Sequence, residues 1–283
     1  MENGRIQLFS YRDEFFNVHH SVSENYEDPY TKLHMHSMYE IYYFIDGKGE
    51  FHVSGNTYKL EPGMIIVMLP GEAHSMTVYT DKQYERVSIH FDQNYFEGIN
   101  IIDTILNSFS KRKYEYGNCY LEVNANSIIT NLISEMTNPA LKDSNEKMLA
   151  LVSNLPALLY HLSIKITQNT SVTGASRDNL VWQTIKYIDE NLYKNWTLDD
   201  LAAKLYRDKA YLNRRFKKII GTGIWDYTIR KRIIGIKQRI HSFSSVNEAF
   251  KSSGFGDYST FFRNYVKVTG NNPSDDIKQS LCE

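Results

Sequence analysis

Short apolar runs separated by turn residues make up the first part of the chain. From about Leu33 to Phe91, β-branched and aromatic runs alternate with turn-forming segments, which are Asp46-Gly47, Lys48-Gly49, Ser54-Gly55-Asn56, Pro62-Gly63 and Pro70-Gly71. Strands of this length at this spacing are typical of an antiparallel all-β barrel or sandwich. We therefore predict a β domain over residues 1–98.

The apolar pattern changes to a helical period after about Ile99. Between Ser144 and Ile166 apolar residues recur every three or four positions, and Pro156 is expected to kink or divide this helix. Such a stripe is commonly ordinary core, although a helix that follows a small barrel is also a natural dimer seam. We predict a helical dimerisation and connecting region over 99–167 and, because 168–178 is polar and aperiodic, an interdomain linker there.

The most specific pattern lies in the C-terminal part of the chain. Thr197 followed by Asp200 predicts a capping box at the start of one helix, and Asp208 is the expected N-cap of the next. The second helix is expected to turn three apolar residues toward the core, namely Leu212, Phe216 and Ile219. Its opposite side carries Ala210, Asn213, Arg214 and Lys217 at positions i, i+3, i+4 and i+7. This is the layout of a helix-turn-helix unit, although a solvated helix face would show the same residues.

A similar arrangement recurs between Ser244 and Asp275. It comprises a short helix, a turn at Gly254-Phe255-Gly256, a helix N-capped by Asp257, and a closing segment from Gly270 to Pro273. Between the two units, isoleucines mark one face of a helix of about 20 residues, roughly 30 Å long. These isoleucines are Ile229, Ile233, Ile236 and Ile240. A helix of that length would hold two reading helices about one turn of DNA apart.

The segment from about Asn179 to Asp276 resembles the DNA-binding domain of AraC/XylS-type transcription regulators, which contain two helix-turn-helix units joined by a long helix. The resemblance rests on LAAKLYRDKAYLNRRFKKIIG, on the GF of SSGFGDYSTFFRNY and on TGNNPSD, and it covers roughly a third of the chain. It implies that Ala210, Asn213 and Arg214 read bases and that Lys217 contacts phosphate. In the second unit it implies base reading by Tyr258, Ser259 and Arg263.

The second unit departs from the family pattern in ways that concern its DNA-facing side. Phe250 stands where the family usually has alanine, and the larger ring is expected to force repacking. Phe262 and Val266 make the face beside Arg263 unusually apolar. Two interpretations stay open: these side chains contact thymine methyl groups, or the unit binds DNA weakly and mainly through the backbone.

Histidines and a glutamate mark a candidate site in the predicted barrel. His34, His36 and Glu40 share even parity, so their side chains point to one face of a continuous strand, and His74 follows a later turn. The pattern H-x-H-x3-E-x6-G, followed by G-x6-P-G-x2-H, resembles the two signature motifs of the cupin barrel. In metal-using cupins the corresponding residues bind a divalent metal, for which imidazole and carboxylate are suitable ligands.

Cupin-like barrels also form the sensor half of AraC-type regulators, where the pocket resembles a small-molecule receptor, often for a sugar. Carboxylate and imidazole groups suit that role because they pair with hydroxyl groups in several directions, and an aromatic ring offers an apolar face. Arg86, Ser88 and His90 share parity on a later strand and are expected to add polar groups to the site. The predicted ligand-binding set is His34, His36, Glu40, Tyr42, His74, Arg86 and Ser88, with no catalytic residue.

Length, charge and cysteine content indicate the number of domains, the partner of the C-terminal half and the cellular compartment. A chain of 283 residues suits two domains. From Asp178 onward there are 18 Lys and Arg against 12 Asp and Glu, a net charge of +6, whereas the preceding part carries −7. This asymmetry favours nucleic acid as partner of the C-terminal half, although uneven solvated charge explains the count equally well. Two cysteines, no secretory leader and no apolar run near the membrane-spanning length of about 20 residues predict a cytoplasmic protein.

These observations predict an α+β protein of two domains. The first is a cupin-like antiparallel β-barrel plus helices, and the second, over 179–283, is an all-α domain with two helix-turn-helix units. The predicted function is a ligand-responsive transcription regulator, an activator by analogy, that controls uptake or metabolism genes without a cofactor. The expected partners are promoter double-stranded DNA, a small-molecule effector such as a carbohydrate, a second copy of the chain and RNA polymerase, with no membrane.

Two other functions stay open at this point. One is a metal-dependent cupin enzyme, an isomerase or dioxygenase with a helical appendage, whose divalent metal would lie at His34, His36, Glu40 and His74. The other is a constitutive DNA-binding protein with a vestigial sensor.

Overall fold

A computed structural model describes residues 5–23, 33–79, 83–116, 120–122, 126–168 and 175–281. The chain divides into two compact units, one extending to residue 176 and the other from 177 onward. Two short loop segments, 35–37 and 70–73, are grouped with the second unit. The predicted fold class is confirmed, since the first unit holds antiparallel sheets with helices and the second is all helical.

Antiparallel strands form two sheets in the described part of the first unit. The strands are β1 (Arg5–Arg12), β2 (Phe16–Ser23), β3 (Tyr39–Asp46), β4 (Gly49–Val53), β5 (Asn56–Leu60), β6 (Met64–Met68), β7 (His74–Val78), β8 (Tyr84–Phe91), β9 (Tyr120–Glu122) and β10 (Ala175–Arg177). Six strands follow the order β1-β2-β8-β3-β6-β9 and four the order β10-β5-β4-β7. The predicted turn pairs separate these strands. Gly47, for example, has a φ of 123°, which favours glycine.

The six-stranded sheet is buried on both faces. Ile41 and Val67 lie on the face that packs against helices, whereas Tyr42 and Phe44 lie on the opposite face, which packs against the four-stranded sheet. The helices are α1 (Asn100–Tyr116), α2 (Ile128–Met136) and α3 (Ser144–Gln168). The side chains of even-numbered residues on β3 therefore point between the two sheets, where the predicted sensor residues belong.

Helix α3 continues through Pro156, so of the two predicted effects of this proline, a kink or a division of the helix, the division is wrong. Proline removes one backbone hydrogen bond, but the buried leucine stripe on both sides of Pro156 packs into a single core. These leucines are Leu151, Leu155, Leu158, Leu159 and Leu162. Residues 144–165 also have the length and mean hydropathy of a membrane span, contrary to expectation, and no other segment does within the described residues. Burial of the leucine stripe accounts for part of this apolar character, since 28% of the window is buried.

The second unit consists of seven described α-helices. They are α4 (Asn179–Glu190), α5 (Leu198–Leu205), α6 (Lys209–Ile220), α7 (Ile224–Gln238), α8 (Val246–Lys251), α9 (Tyr258–Thr269) and α10 (Pro273–Leu281). The predicted capping box of Thr197 and Asp200 is present. The predicted N-caps are confirmed too, because Asp208 and Asp257 accept hydrogen bonds from the backbone N–H groups of Tyr211 and Thr260.

Two sequence predictions for this unit are wrong. The connecting helix α7 has 15 residues, about 22 Å at 1.5 Å per residue, and not about 20 residues. The chain leaves the helix at Arg239 and passes into a 3-10 turn, from which Ile240 still reaches the core. In α6 the third buried apolar residue is Ile220 and not the predicted Ile219, which is 39% exposed. Leu212, Phe216 and Ile220 are spaced by four and so share one side of the helix.

Candidate functional site

Helix α6 presents a basic face to solvent. Ala210, Arg214 and Lys217 are exposed, as predicted for a helix that lies in the major groove of DNA. Leu212 and Phe216 on the opposite side are buried. The side chain of Arg215 is drawn away from this face by an ion pair with Asp178. The helix therefore leaves a guanidinium and an ammonium group available to base edges and phosphates.

Asn213, which is predicted to read bases, also makes a contact within the protein. Its half-buried side chain accepts a hydrogen bond at Oδ1 from the backbone N–H of Ile224, at 3.0 Å. Ile224 is the first residue of α7, and the N-cap residue Gly223 makes no side-chain capping bond. Asn213 thus caps the connecting helix. The signal is absent from local sequence because the capped N–H lies 11 residues away.

Helix α9 places the predicted second set at the surface. Tyr258, Ser259 and Arg263 are exposed. Arg263 folds back on its own helix, donating from Nε to the Ser259 carbonyl at 3.3 Å and from Nη2 to Thr260 Oγ1 at 3.4 Å. Phe250, where repacking was expected, contacts the rings of Tyr258 and Phe261 with centroid distances of 5.7 and 5.9 Å. The extra ring is accommodated in an aromatic cluster.

A carboxylate between two imidazoles forms the centre of the candidate sensor site. Glu40 is buried on β3, with Oε2 3.1 Å from His74 Nε2 and 3.4 Å from His90 Nε2. His90 is paired with Glu40 across the β3–β8 ladder, and its Nδ1 donates to the Asn17 carbonyl at 2.9 Å. Burial lowers the pKa of His90, but Glu40 and the Asn17 carbonyl outweigh burial and raise it. The charged imidazolium is therefore favoured beside the carboxylate.

Other predicted sensor residues lie on the same inner face of the sheet. Ser88 is paired with Tyr42 across the ladder, and the buried Arg86 is paired with Phe44. The guanidinium carbon of Arg86 lies 5.1 Å from the centre of the Tyr84 ring. The Tyr42 hydroxyl donates to the Met76 sulfur at 3.1 Å. Polar groups of β8 thus adjoin an aromatic and thioether-rich interior.

The polar residues of β2 also face the candidate sensor site and were not predicted from the sequence. In the register of β2 and β8, Asn17 is opposite His90, His19 is opposite Ser88, and Ser21 is opposite Arg86. The alternating polar positions of FNVHHSVS were the available signal. The Asn17 Oδ1 and Ser21 Oγ atoms are buried and have no hydrogen-bond partner among the residues that the structure describes. Burial, followed by nearby cationic groups, lowers the pKa of His19 to about 4, so its imidazole is neutral at physiological pH.

The histidines of the first cupin-like motif differ in placement. His34 belongs to the first unit, where its backbone exchanges two hydrogen bonds with that of His74, each 3.0 Å long. His36 lies in the loop segment grouped with the second unit. Imidazole and carboxylate ligands are chemically suited to a divalent transition metal, but the described residues of the first unit alone do not supply a set of three such ligands.

Two family models match the chain. The AraC-like ligand binding domain matches residues 21–159, which contain the Glu40, His74 and His90 cluster, and a helix-turn-helix domain matches 201–279. The chain is an AraC-type transcription regulator. Its N-terminal domain is the ligand-binding domain of that family, and its C-terminal domain binds DNA.

Similar proteins include regulators of comparable length. The lactose operon transcription activator of Staphylococcus xylosus is 23% identical to this AraC-type regulator, with 78% of this chain and 77% of the relative covered. The uncharacterized HTH-type transcriptional regulator YisR of Bacillus subtilis is 21% identical, with 84% of each covered. The solved structure of ToxT from Vibrio cholerae is 12% identical, with a TM-score of 0.39 and coverage of 94% of this chain and 98% of that chain.

Proposed function

We propose that this regulator binds a small hydroxylated molecule, such as a carbohydrate, on the inner face of its barrel and thereby changes its binding to a promoter. The observation that carries this proposal is the continuous polar row across three strands. Glu40, His90 and Ser88 supply acceptors and donors at fixed positions, and Tyr42 supplies an apolar ring face. The relative named as a lactose operon activator supports both a sugar effector and activation.

The residues of β2 extend the proposed effector site. A buried hydroxyl or amide oxygen without a partner is costly, so a partner from outside the chain is a natural explanation. Ser21 Oγ can both donate to and accept from a ligand hydroxyl, and Asn17 Oδ1 can accept from one. The neutral imidazole of His19 provides one more uncharged polar group. An uncharged polyol satisfies these three residues better than a ligand that places a carboxylate there, because a carboxylate only accepts hydrogen bonds.

The remaining parts of the chain have distinct proposed roles. Residues 1–98 form the sensor, 99–167 mediate dimerisation and connect the domains, and 168–178 form the linker, of which 169–174 lie outside the described residues. The domain from 179 onward binds promoter DNA, in its first helix-turn-helix unit through Ala210, Asn213, Arg214 and Lys217. RNA polymerase is its partner in activation. The effector must have unequal affinities for two arrangements of these parts, since equal affinity would shift neither. The proposed location is the cytoplasm.

Selection of DNA fragments by the full-length protein tests both halves of this proposal. The protein is mixed with random DNA fragments in the presence and absence of a panel of neutral sugars and the matching uronic acids. We expect one enriched sequence whose affinity changes with at least one neutral sugar. Ser21→Ala should abolish this change, whereas Thr77→Ala, at an exposed position on β7, should preserve it. An enriched sequence whose affinity no sugar alters would favour a vestigial sensor.

A metal-dependent enzyme is the second candidate, because the imidazole and carboxylate groups of the cupin-like motifs suit a divalent transition metal. The family match to regulators supports binding without catalysis. Metal analysis of the purified protein separates the two functions. Stoichiometric transition metal that is lost on His36→Ala, together with turnover of a substrate, would favour the enzyme. A sugar response of DNA binding that persists after chelation would favour the regulator.

A further inference from the structure

Helices α6 and α9 are built alike, so their surfaces can be compared position by position. Each has 12 residues, an aspartate N-cap and a glycine C-cap in the left-handed region with a φ of 79°. Alignment on these caps pairs Leu212 with Phe261 and Phe216 with Tyr265, and all four side chains are buried. The helices therefore turn equivalent sides toward the protein.

The outward positions differ in chemical character. On the same alignment, Ala210 corresponds to Ser259 and Arg214 to Arg263. Asn213 corresponds to Phe262, and Lys217 corresponds to Val266. Two of these four positions are thus polar or charged in α6 and apolar in α9. The difference lies in the part of the helix that would face DNA.

The capping geometry explains why position 262 is free to be apolar. In the first helix-turn-helix unit the residue that begins the next helix is Ile224, whose backbone N–H is bonded to the Asn213 acceptor. In the second helix-turn-helix unit the corresponding residue is Pro273, which starts α10 and has no N–H group. No capping acceptor is required there. Phe262 is therefore not constrained by the neighbouring helix in the way that Asn213 is.

The apolar side chains of α9 form an ordered surface. Tyr258 is 45% exposed, and its ring stacks on that of Phe262 with centroids 6.1 Å apart and an interplanar angle of 29°. Phe250 meets the other side of the cluster edge-on, at 80° to the Tyr258 ring. Arg263 is held by its own helix through Ser259 and Thr260. A ligand that approaches α9 therefore meets fixed aromatic and aliphatic groups beside one guanidinium.

We propose that Phe262, Val266 and Tyr258 read thymine methyl groups, so that the second half of the operator is recognised by apolar contact. Thymine is the natural base that presents a methyl group in the major groove. The net charge of +6 from Asp178 onward makes a DNA duplex the complementary partner for this surface. The inference rests on the proposed function, because it requires that the second helix-turn-helix unit contacts DNA.

Deoxyuridine substitution isolates the methyl group. A fragment enriched by the wild-type protein is synthesised with deoxyuridine in place of thymine in one half of the protected region or in the other. We expect affinity to fall about fourfold for each recognised methyl group that is removed from the half bound by α9, which follows from the transfer free energy of a buried methylene. Substitution in the half bound by α6 should change affinity less.

Variants identify which half α9 binds and whether its apolar residues are responsible. Val266→Thr keeps the shape of the side chain but replaces a methyl group with a hydroxyl, Phe262→Leu removes the ring that stacks on Tyr258, and Arg214→Ala on α6 is the matched control. The two α9 variants should reduce the effect of deoxyuridine, and Arg214→Ala should leave that effect intact. Tryptophan fluorescence verifies that each variant is folded.

Two results would overturn the inference in distinguishable ways. If the α9 variants weaken binding while thymine and deoxyuridine are bound equally, the second helix-turn-helix unit contacts DNA but does not read methyl groups. If the α9 variants and deoxyuridine have no effect and only one half-site is enriched, the second helix-turn-helix unit does not bind DNA as proposed.

Discussion

Replacement of Asn213 by alanine tests whether its side chain caps α7. The substitution removes the 3.0 Å hydrogen bond to Ile224, and Gly223 has no side chain to replace it. Loss of a capping bond costs about 0.5–2 kcal/mol. The free energy of unfolding of the second unit should fall by about 1 kcal/mol, which corresponds to a decrease in Tm of about 4–8 °C for a domain of this size.

Tryptophan fluorescence during thermal or urea unfolding is the appropriate assay. The three tryptophans of the chain all lie in the second unit, namely Trp182, Trp196 and Trp225. Asn213→Asp keeps an oxygen acceptor and should retain most of the stability, and Lys217→Ala, at an exposed position, should change it little. Unchanged stability in Asn213→Ala, with weaker binding confined to adenine-containing sites, would refute the capping role and restore base reading.

Three further substitutions test the packing of the DNA-binding domain. Arg232→Met should destabilise the DNA-binding domain by about 3 kcal/mol or more, because the buried guanidinium donates to three backbone carbonyls. Urea unfolding measures the loss, and a loss below about 1 kcal/mol would contradict this prediction. Gly254→Ala should lower Tm sharply and reduce the yield of folded protein, since a Cβ there would lie 2.9 Å from backbone atoms of Tyr193 and φ is +74°. If the variant melted at the same temperature as the wild-type protein, this close approach would be contradicted. Burial raises the pKa of Asp276, but hydrogen bonds, first from Tyr265, outweigh it and lower the pKa. The stabilising contribution of the Asp276 carboxylate is therefore present above the unfolded pKa of about 3.9 and is lost as pH falls through the lower folded pKa. Asp276→Asn should make the free energy of unfolding less dependent on pH in the acid range. An unchanged dependence would show that this carboxylate does not contribute to it.

Local chemistry made much of the fold readable from the sequence. Turn pairs such as Pro62-Gly63, the capping aspartates Asp208 and Asp257, and the alternation around Glu40 all depend on neighbours within a few residues. The shared parity of Arg86 and Ser88 is observed on β8. The continuous strand predicted for His34, His36 and Glu40 is wrong, because β3 begins only at Tyr39. Regular elements and their orientation were therefore accessible without tertiary information.

Features set by long-range packing were not predicted. The length of α7 depends on where Ile240 can reach the core from a 3-10 turn, and Asn213 has a partner on another helix. The β2 residues were overlooked because Asn17 and His90 become neighbours only through a pairing of strands far apart in sequence. In each case tertiary structure overrides the local signal.

Comparison of wild-type protein with Arg214→Ala on two DNA targets tests base reading by α6 most directly. The targets are the fragment enriched by selection and random duplex DNA of the same length, at one salt concentration. We predict that the variant loses about 1–3 kcal/mol of binding free energy on the selected fragment and little on random DNA, while Lys217→Ala weakens both alike. Equal losses on the two targets for Arg214→Ala would contradict base reading by this helix.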